Sequence, residues 1–152
     1  MARQGTQSGS TRRGYKQTEI GEIPVEWEVS TLSDIADIVG GTTPATGKPE
    51  YWKEEVNWAT PTDITGLTDG QQSLFSTSKR ISQKALEECC LQLLPVGSLL
   101  MTSRASIGYC AIAKVPVATN QGFCSFTRLK RTDVLFLYYL VISLRRQLSA
   151  LA

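Results

Sequence analysis

The 152-residue chain contains no histidine. Without an imidazole, neither a Ser–His nor a Cys–His nucleophilic pair can be assembled, and a zinc site loses its usual nitrogen ligand. Cysteine is scarce: Cys89, Cys90, Cys110 and Cys124 are all there is, with no CxxC spacing. That pattern suits buried, reduced thiols in a cytosolic protein rather than a metal site. A long apolar run is also missing. The most apolar stretch, Val134 to Leu144, is too short to span a bilayer and fits a core helix. Residues 1–18 are polar and basic with no apolar segment, which argues against a secretory signal. The chain therefore reads as soluble and cytoplasmic, with no membrane partner.

Cofactor chemistry lacks its usual sequence supports as well. Between Gly41 and Gly47-Lys48 lie five residues where a phosphate-binding loop needs four, and Pro49 stands where Ser or Thr should follow the lysine. Pro44 also removes an amide that would face a phosphate. No glycine-rich turn after a strand offers a methyl-donor site. Glu54 and Glu55 are neighbours, so an extended backbone points them to opposite sides, a poor arrangement for general acid–base work. No cofactor and no self-sufficient enzyme are expected.

One-signed charge is absent from the body of the chain. The net charge is +2, yet Arg3, Arg12, Arg13 and Lys16 all precede the first acid, Glu19. The remainder carries two more acidic than basic residues. A nucleic-acid binder more usually has a strongly basic body. Any DNA contact therefore requires local clustering of Lys and Arg on one face.

What is present is a series of short apolar runs punctuated by Gly and Pro. Strands are expected at Glu26–Val29, Ala36–Val39, Val56–Thr60, Ser98–Ser103, Tyr109–Val115, Val117–Thr119 and Phe123–Leu129. Thr31–Asp34 reads as a turn or one helical turn, and residues 62–78 as loop with one helical turn near Asp63. Ser82 suits an N-cap for a short helix through Cys90, and Thr132 for an apolar helix that keeps its pattern to Ala152. The fold class is α+β: a mixed, largely antiparallel twisted sheet with one short internal helix and a C-terminal apolar helix. Residues 1–18 form a flexible basic tail, 19–130 the main domain, and 131–152 the closing helix, the start of a spacer or packing element.

Five short motifs carry a resemblance. Ile20-Gly21-Glu22-Ile23-Pro24 with Trp27, Gly40-Gly41-Thr42-Thr43-Pro44 with Pro49-Glu50-Tyr51-Trp52, and Trp58-Ala59-Thr60-Pro61-Thr62-Asp63 come first. Ser103-Arg104-Ala105-Ser106-Ile107-Gly108 and Thr119-Asn120-Gln121-Gly122-Phe123 follow. Each is weak alone, but in this order they resemble the target-recognition domain of type I restriction–modification specificity subunits over about residues 19–150. The resemblance implies a non-catalytic domain that reads one half of a split double-stranded DNA target. It implies partner modification (methyltransferase) and restriction subunits that hold the catalysis. Such subunits contain two recognition domains separated by long helices; a chain closing at Ala152 is expected to hold one, and its opening motif points to the first.

Base edges in the major groove demand side chains that donate and accept in fixed pairs, chiefly Arg for guanine and Asn or Gln for adenine. Arg104 with Ser106, and Asn120 with Gln121, are the candidates on turns between strands. Thr42 and Thr43, among glycines, suit phosphate contacts, as does a basic cluster of Lys79, Arg80 and Lys84. Structural alternatives stand beside each: Arg104 bridging a carboxylate or carbonyls, Asn120 and Gln121 bonding their own backbone, and the lysines forming a solvated face. The 65–78 loop is a further candidate for base reading. The rival reading is a protein–protein docking module without direct base contact, in which alanine at Leu137 and Leu140 disrupts assembly.

Overall fold

The computed structural model describes residues 12–151. Contacts divide the chain after Thr31 into two units.

In the first unit, β1 (Tyr15–Thr18) pairs antiparallel with β2 (Gly21–Pro24), Tyr15 opposite Pro24 and Thr18 opposite Gly21. Gly21 closes the turn at φ +117°, a conformation glycine adopts without a Cβ clash. The Thr18 hydroxyl donates to the Gly21 carbonyl at 2.6 Å. The flexible tail expected over residues 1–18 thus gives way to strand at Tyr15–Thr18; residues 1–11 lie outside the described part. The strand expected at Glu26–Val29 does not form, because its alternating apolar residues find no pairing edge; Trp27 instead closes a turn onto the Pro24 carbonyl.

The second unit runs α1 (Leu32–Ile35), β3 (Asp37–Gly40), a 3-10 turn (Pro49–Tyr51), β4 (Val56–Ala59), α2 (Pro61–Thr65), β5 (Ser73–Leu74) and β6 (Lys79–Ile81). It continues with α3 (Gln83–Glu88), β7 (Leu99–Met101), β8 (Cys110–Ala113), β9 (Val117–Thr119), β10 (Cys124–Thr127), α4 (Val134–Ser143) and α5 (Arg145–Ala150). Two sheets result, ordered β3-β10-β7-β8-β5 and β6-β4-β9. Antiparallel pairs predominate, while β4–β9 and β5–β8 are parallel.

Strand alternation explains the layering, since successive side chains face opposite ways. Leu99, Met101, Cys110, Ile112 and Phe126 of the larger sheet pack with Leu137, Tyr138 and Val141 of α4. Leu100, Ala111 and Ala113 on the other face meet Ala59 and Val117 of the smaller sheet. That sheet's outer face, Val56, Trp58, Ile81 and Ala118, is covered by Ala85 and Leu86 of α3 and by Tyr51. The order is helix, sheet, sheet, helix. Each fully buried Leu or Phe contributes about 1.5–3 kcal/mol, so the central strands hold the scaffold firmly.

The α+β class and mixed pairing match the sequence expectation, with three differences. The second unit holds two sheets rather than one, while α1 and α2 are the single helical turns expected at Thr31–Asp34 and near Asp63. Asp133, not Thr132, caps the last helix, its carboxylate accepting from the Leu135 N–H at 2.8 Å and the Phe136 N–H at 3.3 Å. The C-terminal helix is not continuous: it breaks at Leu144 into α4 and α5. Ser82 caps α3 as expected, accepting from the Ala85 N–H.

Candidate nucleic-acid interface

Register brings several strand ends to one rim of the second unit. Gly40, the last residue of β3, pairs with Cys124, the first of β10, and Met101, the last of β7, pairs with Cys110, the first of β8. Parallel β4 and β9 end side by side at Ala59 and Thr119. The loops 41–44, 60–62, 102–109 and 120–123 therefore emerge together, although they span most of the chain.

Hydrogen bonds fasten these loops to one another. The Thr42 N–H donates to the Thr119 carbonyl at 2.9 Å, and the Thr42 carbonyl accepts from Trp58 Nε1 at 3.1 Å. The Thr43 hydroxyl donates to Gln121 Oε1. The Asn120 N–H reaches the Ala59 carbonyl at 3.1 Å, and the Ser103 N–H the Gly122 carbonyl at 2.8 Å. At Gly41, a Cβ would overlap the carbonyl oxygens of Thr119 and Asn120 and the Thr119 hydroxyl. Only glycine lets the two loops approach this closely.

The N-terminus of α2 completes this side. Asp63 accepts from the Thr60 N–H at 2.7 Å, the Thr60 hydroxyl at 2.9 Å and the Ser78 N–H at 2.8 Å. The Thr60–Asp63 spacing is thus a helix-start lock. It also pins the segment leading into β6, where Lys79 stands opposite Trp58 and Arg80 opposite Asn57. Lys79 and Arg80 are exposed and border a groove of about 480 Å³ together with Trp52, Lys53 and Glu54. Trp52 meets Trp58 edge-on at 5.1 Å.

The candidate residues separate as follows. Thr42, Thr43, Arg104, Ser106, Asn120 and Gln121 share the rim. Arg104 is exposed, and its guanidinium has no partner among the described residues, so the carboxylate bridge is not formed. Asn120 Oδ1 accepts from the Gly122 N–H at 2.8 Å, the local backbone bond anticipated as its alternative. Gln121 instead engages Thr43, across 78 positions of sequence. Ser106 is half-buried, its N–H on the Arg104 carbonyl at 2.7 Å. Lys79 and Arg80 lie on β6 at the sheet edge. Lys84 does not join them: on α3 it faces Glu88 at 3.8 Å and Glu50 at 4.0 Å.

Sequence reasoning missed Arg145, which supports the 102–109 loop from the helix junction; its only signal was a basic pair at the end of an apolar helix. Among the described residues, no group of three or more His, Cys, Asp or Glu is placed to hold a metal ion. No helix among them is long and apolar enough to cross a membrane.

Two packed sheets with an exposed cation and amide side chains on a shared rim define a loop-presenting α+β domain. Residues 24–152 match the family described as Type I restriction modification DNA specificity domain, and the chain belongs to that family. Over 127 residues it is 43% identical to the type I restriction enzyme MjaIX specificity subunit of Methanocaldococcus jannaschii, covering 83% of this chain and 29% of that one. The EcoprrI specificity subunit of Escherichia coli is 30% identical over 136 residues, 86% of this chain and 32% of that one. In fold, the chain is similar to the HsdS subunit of Thermoanaerobacter tengcongensis, with a TM-score of 0.64 at 19% identity over 90% of this chain and 32% of that one. The chain thus spans about a third of the length of these relatives. They are named as specificity subunits, in keeping with the expectation of a recognition component rather than an enzyme.

Proposed function

We propose that this domain reads one half-site of a split double-stranded DNA target through its rim loops, with methyl transfer and cleavage left to partner modification and restriction subunits. The observation that carries the reading is the gathering of Arg104, Asn120 and Gln121 on one rim, with Arg104 exposed and unpaired. An exposed guanidinium beside amide side chains suits bidentate contacts to base edges. Lys79 and Arg80, exposed on the nearby sheet edge, supply phosphate contacts that set register without reading sequence. The outer side of α4 leaves Phe136 63% and Tyr139 54% exposed, an apolar surface suited to a partner subunit. Leu137 is buried against the sheet, so Phe136 and Tyr139, rather than Leu137, are the positions that test docking.

The test is selection of duplexes from a randomised pool by the 152-residue chain, followed by anisotropy titration of parent and Arg104→Ala. An enriched sequence whose binding drops on Arg104→Ala, with scrambled duplex bound equally weakly by both, supports the reading. No enrichment at low salt refutes it.

A further inference from the structure

We propose that Arg145 is a positioning residue for DNA reading: from the α4–α5 junction it holds the 103–108 loop, and with it Arg104, in the presented conformation. This rests on the duplex-reading role proposed above.

The far side of the loop is bound to Arg145 three times over. Arg145 Nε donates to the Gly108 carbonyl at 3.2 Å, and its guanidinium lies 4.1 Å from the centre of the Tyr109 ring. Gly108 itself, at φ +80°, rests against the helix: a Cβ there would come 3.0 Å from Arg145 Cγ and 3.4 Å from its Cα. No carboxylate pairs with Arg145 among the described residues, so its donor and its charge serve a carbonyl and a ring. The near side is closed by Thr102. Its N–H donates to the Tyr109 carbonyl at 2.8 Å, its carbonyl accepts from the Gly108 N–H at 2.9 Å, and its hydroxyl donates to the Ser106 carbonyl.

Between these anchors the chain is strained. Ala105 sits at φ +59°, a region that side chains with a Cβ disfavour. Such a conformation persists only when its surroundings over-determine it. The Arg104 and Ala105 side chains are exposed, so the determination comes from the backbone bonds of the loop, the Ser103 N–H on the Gly122 carbonyl at 2.8 Å and the Ser106 N–H on the Arg104 carbonyl at 2.7 Å, and from the two anchors. Arg145 is the anchor that reaches the loop from a helix, and it does so through its side chain. Beside it a cavity of about 230 Å³ opens toward Leu67, Asp69 and Gln71, so a shortened side chain at 145 leaves the loop without a substitute support. The neighbouring stretch is tied to the same helix, since Gln72 Nε2 donates to the Tyr139 hydroxyl at 2.5 Å. Both loops at this end are thus mounted on α4 and its junction.

A double-mutant cycle tests the proposal. The 152-residue chain, Arg104→Ala, Arg145→Ala and the double variant are titrated against the pool-enriched duplex and a scrambled duplex of equal length, with thermal unfolding measured in parallel. Arg145→Ala is expected to weaken binding to the enriched duplex about tenfold, to leave the scrambled duplex unchanged, and to add nothing in the Arg104→Ala background. Arg145→Lys keeps the charge but loses the planar stack and fixed fork of donors, so it should fall between parent and alanine. Should Arg145→Ala fail to fold, the lysine variant takes its place in the cycle. Parental discrimination in the Arg145 variants, or losses that add in the double variant, overturns the positioning role. If Arg104→Ala itself binds as the parent does, the duplex-reading role falls and this inference falls with it.

Discussion

Replacing Gly41 by alanine isolates the closest approach in the structure. Its Cβ would have to occupy the space of two carbonyl oxygens and a hydroxyl from Thr119 and Asn120, none of which is the free end of a flexible side chain. The 41–44 loop must therefore move away from the 119–121 loop. That movement stretches the Thr42 N–H bond to the Thr119 carbonyl and the Trp58 bond to the Thr42 carbonyl. Overpacking of this kind costs about 1–3 kcal/mol, and each weakened hydrogen bond about 1 kcal/mol. A total of about 3–5 kcal/mol follows, and at about 2–4 °C per kcal/mol for a chain of this length the unfolding midpoint should fall by about 12 °C. Gly40→Ala is the matched control, because a Cβ there meets nothing within 4 Å and its φ is ordinary. The assay is thermal and urea unfolding followed by circular dichroism. Equal midpoints for the two variants would refute the steric reasoning, whatever their DNA binding.

Asp63→Asn removes the charge from a carboxylate that gathers three donors, and should cost about 1–3 kcal/mol in urea unfolding; an unchanged midpoint would mean the lock is redundant. Arg80→Gln is expected to lower the slope of log affinity against log salt by about 1, whereas Lys84→Gln, facing Glu50 and Glu88, should leave it unaltered. The Tyr51 hydroxyl, 2.5 Å from Glu88, with Lys84 and Lys48 nearby, holds the Glu88 carboxyl below its ordinary value. Its stabilisation is thus present above pH about 4.5 and lost as pH falls through the lowered value, so Glu88→Gln should flatten the acid limb of a stability–pH profile. Burial pushes the Cys110 thiol up to about 12, so brief alkylation at mild pH followed by mass mapping should label exposed Cys90 and spare Cys110.

Strands flanked by Gly and Pro were readable from the sequence because their apolar runs are buried. Val117–Thr119 is interior at every position, and Leu99–Met101 likewise. β6 was not readable, since two of its three residues are exposed cations at a sheet edge and only Ile81 points inward. β5 was not either: two residues carry no period, and its pairing with β8 lies far off in sequence. The same non-locality hid the rim. Nothing near Thr43 announces Gln121, and the parallel pairing of Asn57 with Val117 has no local signature. The motif residues were visible as a set, but which of them carry the scaffold was not. Thr60 and Asp63 turned out to fasten a helix, and Pro44 is fully buried. Proximity in sequence groups Lys84 with Lys79 and Arg80, but a helix start between them turns it toward acids instead.

The brief β5 pairing divides the long connection between α2 and β6. Leu74 is buried, and the Gln72 and Leu74 carbonyls accept from Ile112 and Lys114 at 2.8 and 2.9 Å. Residues 66–71 and 75–78 become two segments with separate moorings instead of one slack stretch. Lengthening or shortening either one leaves the other in place, so each can be exchanged on its own without redrawing the sheets beneath.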